Sequence, residues 1–336
     1  MEVELRAARP DASTLTPPPP HVHARTAPSA SRATTTCSPR AGAALCVLFA
    51  LAVLVASRGG NHHRRRHHRM SEPAVEQHQV SEVSEHAAAL AAIAPSVQAA
   101  LPFTLSCELV DDNFAPGPSE KRVHFVRHGE GTHNVVQREW RAKPGWDGTT
   151  EPYTIDNDPE YKFGDAQLTA VGTEQAQALR ARTAALADVE VLVVSPMRRA
   201  TDTGLLAFEA HVAAGKPILA SELLHERGGR HTCDKRLGLA AIRAAHPNID
   251  YSLITAEEDP LWGDGVTRES WADVASRAAE FCKWLAARPE KRVAVAAHSA
   301  ILLGLFNTVF AKSDPECKKW FGTGEMRTVK LTFTPK

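Results

Sequence analysis

The stretch Lys121-Arg-Val-His-Phe-Val-Arg127-His128-Gly129-Glu-Gly131-Thr-His133-Asn134 decides how the rest of this chain is read. Val123, Phe125 and Val126 predict a short buried strand. It breaks at Arg127-His128-Gly129, where a cation, an imidazole and a turn-permitting glycine follow one another. In open α/β sheets ligands bind beyond the carboxyl ends of the strands. An arginine beside a histidine at such an end suits an anionic substrate and a nitrogen nucleophile.

Two later segments repeat the pattern. Val189–Val194 (VEVLVV) and Val293–Ala297 (VAVAA) are apolar without alternation, as parallel strands covered on both faces should be. The first runs into Ser195-Pro-Met-Arg198-Arg199-Ala200 and the second into His298-Ser299. Helical patterns occupy Leu168–Leu186, Arg198–Ala214, Leu239–His246, Glu269–Ala287 and Ala300–Phe310, with Thr169 or Thr173 as a helix cap. Ile218-Leu219 predicts a further short strand, and Thr328–Phe333 (TVKLTF) alternates like an edge strand. Strands alternating with helices predict an α/β fold, a three-layer αβα sandwich around a mostly parallel sheet. Right-handed crossovers would then bring the three charged strand ends to one edge of that sheet. Two arginines and two histidines gathered there call for a polyanion, and forked guanidinium donors match a phosphate.

With these residues in hand, the chain resembles the histidine phosphatase superfamily, the phosphoglycerate-mutase-like fold, over roughly residues 122–333. Arg127-His128-Gly129 matches its opening signature, and Ser195-Pro-x-x-Arg199-Ala200 its second arginine element. Leu224-x-Glu226 matches the acid element, His298 the late histidine, and Leu168-Thr169-x-x-Gly172-x-x-Gln175-Ala176 the entry of the first helix. The resemblance implies that His128 attacks phosphorus while Arg127, Arg199 and His298 hold the phosphoryl oxygens. It implies Glu226 as general acid and base and Asn134 as a phosphate contact. Arg198 and Glu222 are the neighbouring rivals of Arg199 and Glu226. No metal or other cofactor is called for, since arginines neutralise the phosphate. Gly131 and His133 depart from the glycolytic mutases, which carry a serine and an aromatic there. Glu226-x-x-Gly229-x-x-x-Cys233-Asp234-x-Arg236 is similar to a plant, algal and fungal subgroup of mutase-like proteins.

The expected activity is hydrolysis of a small phosphorylated metabolite. Only three residues follow Phe333, which leaves no long closing tail of the kind the mutases carry. The alternatives are a phosphoglycerate mutase and an idle, membrane-tethered binder of phospho-ligands. Trp140, Trp146, Tyr153, Tyr161 and Trp262 suggest a partly aromatic pocket.

Outside this core the composition changes. Formal net charge is zero, which offers no case for nucleic acid, yet residues 1–70 hold ten Arg against three acids. Residues 1–40, with four consecutive prolines from Pro17, predict a disordered leader. Residues 41–57 (AGAALCVLFALAVLVAS) are uncharged and apolar, and the basic block His62–Arg69 follows. That order predicts a single membrane span with the catalytic domain in the cytosol, or a cleaved organellar targeting segment. Residues 58–118 read as a basic tract and an Ala-rich helical linker, in which Leu90, Ile93, Val97 and Leu101 share one helical face. The domain proper is placed at 119–336, with its boundary near Pro118. Cys37, Cys46, Cys107, Cys233, Cys282 and Cys317 form no CxxC pair, so reduced thiols are expected.

Overall fold

A computed structural model describes residues 72–336, with side chains from Ser84 onward. Helix α1 (Glu72–Ala99) is followed by strands β1 (Phe103–Leu109) and β2 (Glu120–Arg127) and helix α2 (Thr132–Arg141). Then come α3 (Ala170–Ala178), α4 (Arg180–Thr183), β3 (Val191–Val194), α5 (Arg198–Ala207), α6 (Glu209–Ala213) and β4 (Ile218–Ala220). The chain closes with α7 (Leu239–Ala245), α8 (Trp271–Ala287), β5 (Arg292–Ala297), α9 (Ser299–Gly304), β6 (Lys312–Ser313) and β7 (Met326–Pro335).

The seven strands form one sheet in the order β4-β3-β5-β2-β7-β1-β6. β4, β3, β5 and β2 are parallel, while β7 runs antiparallel to both of its neighbours, β2 and β1. The apolar strands show why they lack alternation: successive residues feed opposite layers. Val191, Val193, Val293 and Val295 join the cluster beneath α8 and α9. Leu192, Val194, Ala294 and Ala296 join the cluster on the other face, with Phe208, Ile242 and Tyr251. The result is the three-layer αβα sandwich around a mostly parallel sheet.

Three findings differ from the sequence reading. First, β1 lies ahead of the boundary placed near Pro118 and pairs along its whole length with β7. Phe103, Leu105 and Cys107 are buried in alternation with Thr104, Ser106 and Glu108, the period-two signal of a one-sided strand. α1 also packs on this unit. Leu90 is fully buried, Val97 packs against the core, and Gln98 Nε2 donates to the carbonyls of Thr308 and Phe310 at 3.0 and 3.2 Å. Second, β7 lies inside the sheet, third from one edge. One of its polar positions is buried as well: Thr328 is 1% exposed, with its hydroxyl 2.8 Å from His124 Nδ1. Third, the membrane expectation is corrected. Among the described residues no helix is long and apolar enough to cross a membrane. The longest, α1, carries Glu72, Glu76, Glu82 and Glu85, and each intramembrane charge is costly. Residues 41–57, which carried that expectation, lie outside the described residues, as does the 1–40 leader.

Candidate active site

β2, β5 and β3 are adjacent and parallel, so Arg127 pairs in register with Ala297, and Val194 with Ala296. The residues that follow each strand therefore emerge at one edge. His128 and His298 lie there with ring centroids 5.1 Å apart, exposed 1% and 0%. Arg127 and Arg199 flank them, also buried.

The turn after β2 is held by close backbone contact together with side-chain hydrogen bonds. A Cβ on Gly129 would fall 2.3 Å from the Gly172 carbonyl oxygen, and one on Gly172 would fall 2.1 Å from that of Glu130. Two glycines thus let the first turn of α3 lie against the Arg127-His128-Gly129 backbone. Thr169 caps α3 by accepting from Gly172 N–H at 3.0 Å, and Gln175 Oε1 accepts from Glu130 N–H at 2.8 Å. Leu-Thr-x-x-Gly-x-x-Gln is therefore the clamp that fixes the histidine turn.

His128 Nδ1 lies 2.7 Å from the Gly129 carbonyl oxygen. A carbonyl only accepts, so Nδ1 carries the proton and Nε2 presents its lone pair. Burial, then Arg199 and Arg127, hold the His128 pKa well below the usual histidine range, which keeps the ring neutral. His298 is lowered likewise, by burial and then Arg199, and its Nε2 lies 2.7 Å from Ser195 Oγ. Arg127 donates to the Phe321 carbonyl at 2.6 Å, and Trp320 lies 5.8 Å from its guanidinium carbon. Burial lowers the Arg127 pKa to about 10, so it stays charged at neutral pH.

Arg199 donates to the Cys233 carbonyl and to Asp234 Oδ1, both at 2.7 Å. Asp234 is shared with Arg268, 3.0 Å away. Its carboxyl stays ionised: burial opposes the charge, but Arg268, His231 and Arg199 together hold its pKa well below the ordinary carboxylate range. The Nε of Arg127, the Nε of Arg199 and the Nδ1 of His298 are buried and have no hydrogen-bond partner. Buried polar atoms left unpaired are costly, and these three belong to side chains around His128.

Glu226 sits beside His298, at the start of α9. Its Oε1 accepts from the backbone N–H of Arg227 (2.9 Å) and of Ala300 (3.0 Å), and its Oε2 from Ser299 Oγ (3.1 Å). Of the two rivals, Glu222 has its carboxylate committed to another residue. Glu222 is paired with Arg236 at 2.7 Å, and Arg198 gives its backbone N–H to Asp165 at 3.0 Å. Asn134 Oδ1 accepts from Gly131 N–H at 2.9 Å, so its carbonyl end anchors the start of α2. His225 is a scaffold residue, pinned between the Glu226 carbonyl and Asp259.

Asp234 and Arg268 were missing from the sequence-derived set. Asp234 stood in the subgroup pattern with no role attached, whereas nothing local in Val-Thr-Arg268-Glu-Ser marks its arginine. Of the aromatic residues, Tyr153 packs on His231 at 4.8 Å, while Tyr161 and Trp262 pack on each other at 5.7 Å under Lys235. Trp140 and Trp146 stand under Lys143 and Arg141 instead. Among the described residues, His231, Cys233 and Asp234 have ligand atoms within 4.8 Å of one another. Two guanidinium groups already share Asp234, so this trio orients cations of the protein rather than suiting a metal ion.

Comparison with known proteins identifies the family. The Histidine phosphatase superfamily (branch 1) matches residues 157–336, more than half of the chain. A phosphoglycerate mutase-like protein of Arabidopsis thaliana is 33% identical over 216 residues, covering 56% of this chain and 74% of its own. Phosphoglycerate mutase-like protein 1 of the same plant is 28% identical over 244 residues, covering 63% and 81%. Among solved structures, a mycobacterial glucosyl-3-phosphoglycerate phosphatase bound to VO3 covers 64% of this chain and 98% of its own, at 19% identity and a TM-score of 0.36. Fold, strand-end residues and family match converge: the chain belongs to the histidine phosphatase superfamily, in its phosphoglycerate-mutase-like plant and fungal branch.

Proposed function

We propose that the chain is a phosphomonoester hydrolase that works through a phosphohistidine on His128. The observation that carries this reading is the neutral His128 ring, whose Nδ1 proton is held by the Gly129 carbonyl while Nε2 keeps its lone pair between Arg127, Arg199 and His298. Nε2 forms a bond to phosphorus as the ester P–O bond breaks, and Glu226 gives its proton to the departing alkoxide. In the second half, Glu226 takes a proton from water, the hydroxide oxygen bonds to phosphorus, and the P–N bond breaks to restore His128. Ser299 Oγ, beside Glu226 Oε2, can donate or accept and so tolerates both states of the acid. The guanidinium groups of Arg127 and Arg199 offset the charge on the transferring phosphoryl group, in a site shielded from bulk water. Asn134 lies on the same turn and is the further phosphoryl contact in this reading. The substrate class is a small phosphorylated metabolite.

The test is turnover of p-nitrophenyl phosphate by the full 336-residue chain, wild type and His128→Ala. Removing the nucleophile should cost on the order of 10⁶-fold in kcat, as in other enzymes built on one nucleophile. Turnover that survives His128→Ala overturns the nucleophile assignment. Exchange of 3- with 2-phosphoglycerate without phosphate release overturns hydrolysis in favour of transfer, and a wild-type chain that binds phosphate without either reaction overturns both.

A further inference from the structure

A third imidazole stands in this site. His133, in the first turn of α2, is 8% exposed, and its ring centroid lies 5.5 Å from that of His128. Its Nδ1 is buried with no hydrogen-bond partner. Burial, then Arg199, hold its pKa well below the usual histidine range, so the ring is neutral at neutral pH. A core histidine commonly has its ring nitrogens satisfied by carbonyls or carboxylates, as His225 is here. His133 leaves a buried nitrogen unsatisfied instead, on a ring that adjoins the nucleophile.

Gly131 explains how the ring fits. Its backbone is extended, with φ −95° and ψ 160°, a conformation open to any residue. The glycine is therefore not there for backbone freedom. A Cβ at 131 would fall 2.6 Å from His133 Nδ1 and 2.7 Å from Cε1, closer than side chains tolerate. The space that a side chain at 131 would fill is occupied by the His133 ring. Gly131 and His133 are one device: the first residue is reduced so that the second can enter.

We propose that His133 is a specificity-determining contact of the phosphoryl pocket, donating an imidazole N–H to a phosphoryl oxygen, with Gly131 clearing the space for its ring. This rests on the phosphoryl-transfer reading above. A neutral donor adds recognition without adding charge beside Arg127 and Arg199. It therefore strengthens binding of the phosphoryl oxygens without a like-charge penalty against the two arginines.

The experiment uses the full chain and two readouts: kcat/KM for p-nitrophenyl phosphate and competitive inhibition by inorganic phosphate. His133→Phe keeps the ring volume and removes the N–H. It should weaken phosphate inhibition and kcat/KM by about 10- to 100-fold, the scale of one hydrogen bond to a charged group, with an unchanged melting temperature. His133→Gln, which restores an N–H donor, should recover part of the loss. Gly131→Ala should impair the wild-type background by a similar factor and do little in His133→Ala, because the clash partner is gone. Wild-type phosphate affinity and kcat/KM in His133→Phe overturn the contact and make the ring a packing residue. Additive effects of Gly131→Ala and His133→Ala overturn the pairing. An inert wild-type chain instead sinks the hydrolase reading, which the His128→Ala comparison tests separately.

Discussion

The two halves of the sheet are built on different logic. In the parallel half, β4-β3-β5-β2, every carboxyl end points the same way, so the residues that follow β2, β3 and β5 collect at one edge. In the other half, β7 runs against both of its neighbours, so its carboxyl end lies at the opposite edge and adds nothing to that gathering. That half supplies area instead: Val329 and Leu331 of β7 and Leu105 of β1 are all buried beneath the helical layer. The division is not complete. Because β7 is antiparallel to β2, it starts where β2 ends, and the segment before it leans on the site. Phe321 takes a hydrogen bond from Arg127, and Gly324 N–H donates to the His128 carbonyl at 3.0 Å. The parallel half carries the candidate site, and the antiparallel half braces it from one side.

If that contrast is right, substitutions should separate chemistry from stability according to the half they touch. After His128→Ala itself, the largest effect is expected at Glu226. Glu226→Gln keeps the acceptor for the Ala300 and Arg227 N–H groups but removes the transferable proton. It should lower kcat by about 10²–10⁴-fold for substrates with a poor leaving group, with little change in the unfolding midpoint. An equal loss for p-nitrophenyl phosphate, whose leaving group needs no proton, would break the assignment of the acid.

Next is the mirror case in the antiparallel half. Leu331→Ala should cost roughly 2–5 kcal/mol in urea unfolding, while kcat of the folded protein stays within a factor of two or so. A Leu331→Ala protein that is fully stable but inactive would dissolve the contrast.

Gly172→Ala tests the clamp between them. Its added Cβ meets the backbone of Glu130 and must displace the histidine turn. A displacement of that order is expected to cost about 10²-fold in kcat/KM, read with p-nitrophenyl phosphate, alongside a smaller loss of stability.

The smallest effect is a pH dependence. His128, His133 and His298 are each lowered by burial first and by Arg199 next. The unfolded chain takes up protons near pH 6.5 and the folded chain does not, so the folded state is penalised as pH falls below that value. Their contribution is intact above about pH 6.5 and is lost on acidification, by up to about 1.4 kcal/mol per pH unit for each group. Asp165, raised to about 6 by burial, works in the opposite direction, because its folded form holds a proton more readily. The clean measurement is the difference between wild type and His298→Gln in urea midpoints at pH 7 and pH 5.5. The variant should lose less on acidification, and identical slopes would show that His298 does not resist protonation in the fold.

Much of this was legible before any coordinates. VLVV and VAVAA lack polar interruptions, and VHFV has only His124, because both of their faces are covered, and their charged ends stand out for that reason. Arg127, His128, Arg199, Glu226 and His298 could be named from such ends and from the motifs around them. β1 was also written in the chain, in the alternation of Phe103, Leu105 and Cys107, but a boundary drawn at the neighbouring prolines hid it. β7 misled for a physical reason. Alternation signals one wet face, yet at Thr328 the second face is a buried hydrogen-bonded layer.

Local sequence thus determined the strands, the turns and the residue types of the site, because periodicity and motif spacing are short-range properties. Tertiary structure decided what is shared across distance. Asp234 binds Arg199 and Arg268 from positions 35 and 34 residues away along the chain. The ionised state of Asp234 and the neutrality of the three histidines follow from burial and from neighbours that only folding supplies. The clearance between Gly131 and His133 spans two residues of sequence, but its meaning lies in the ring of His128, which the fold alone sets beside it.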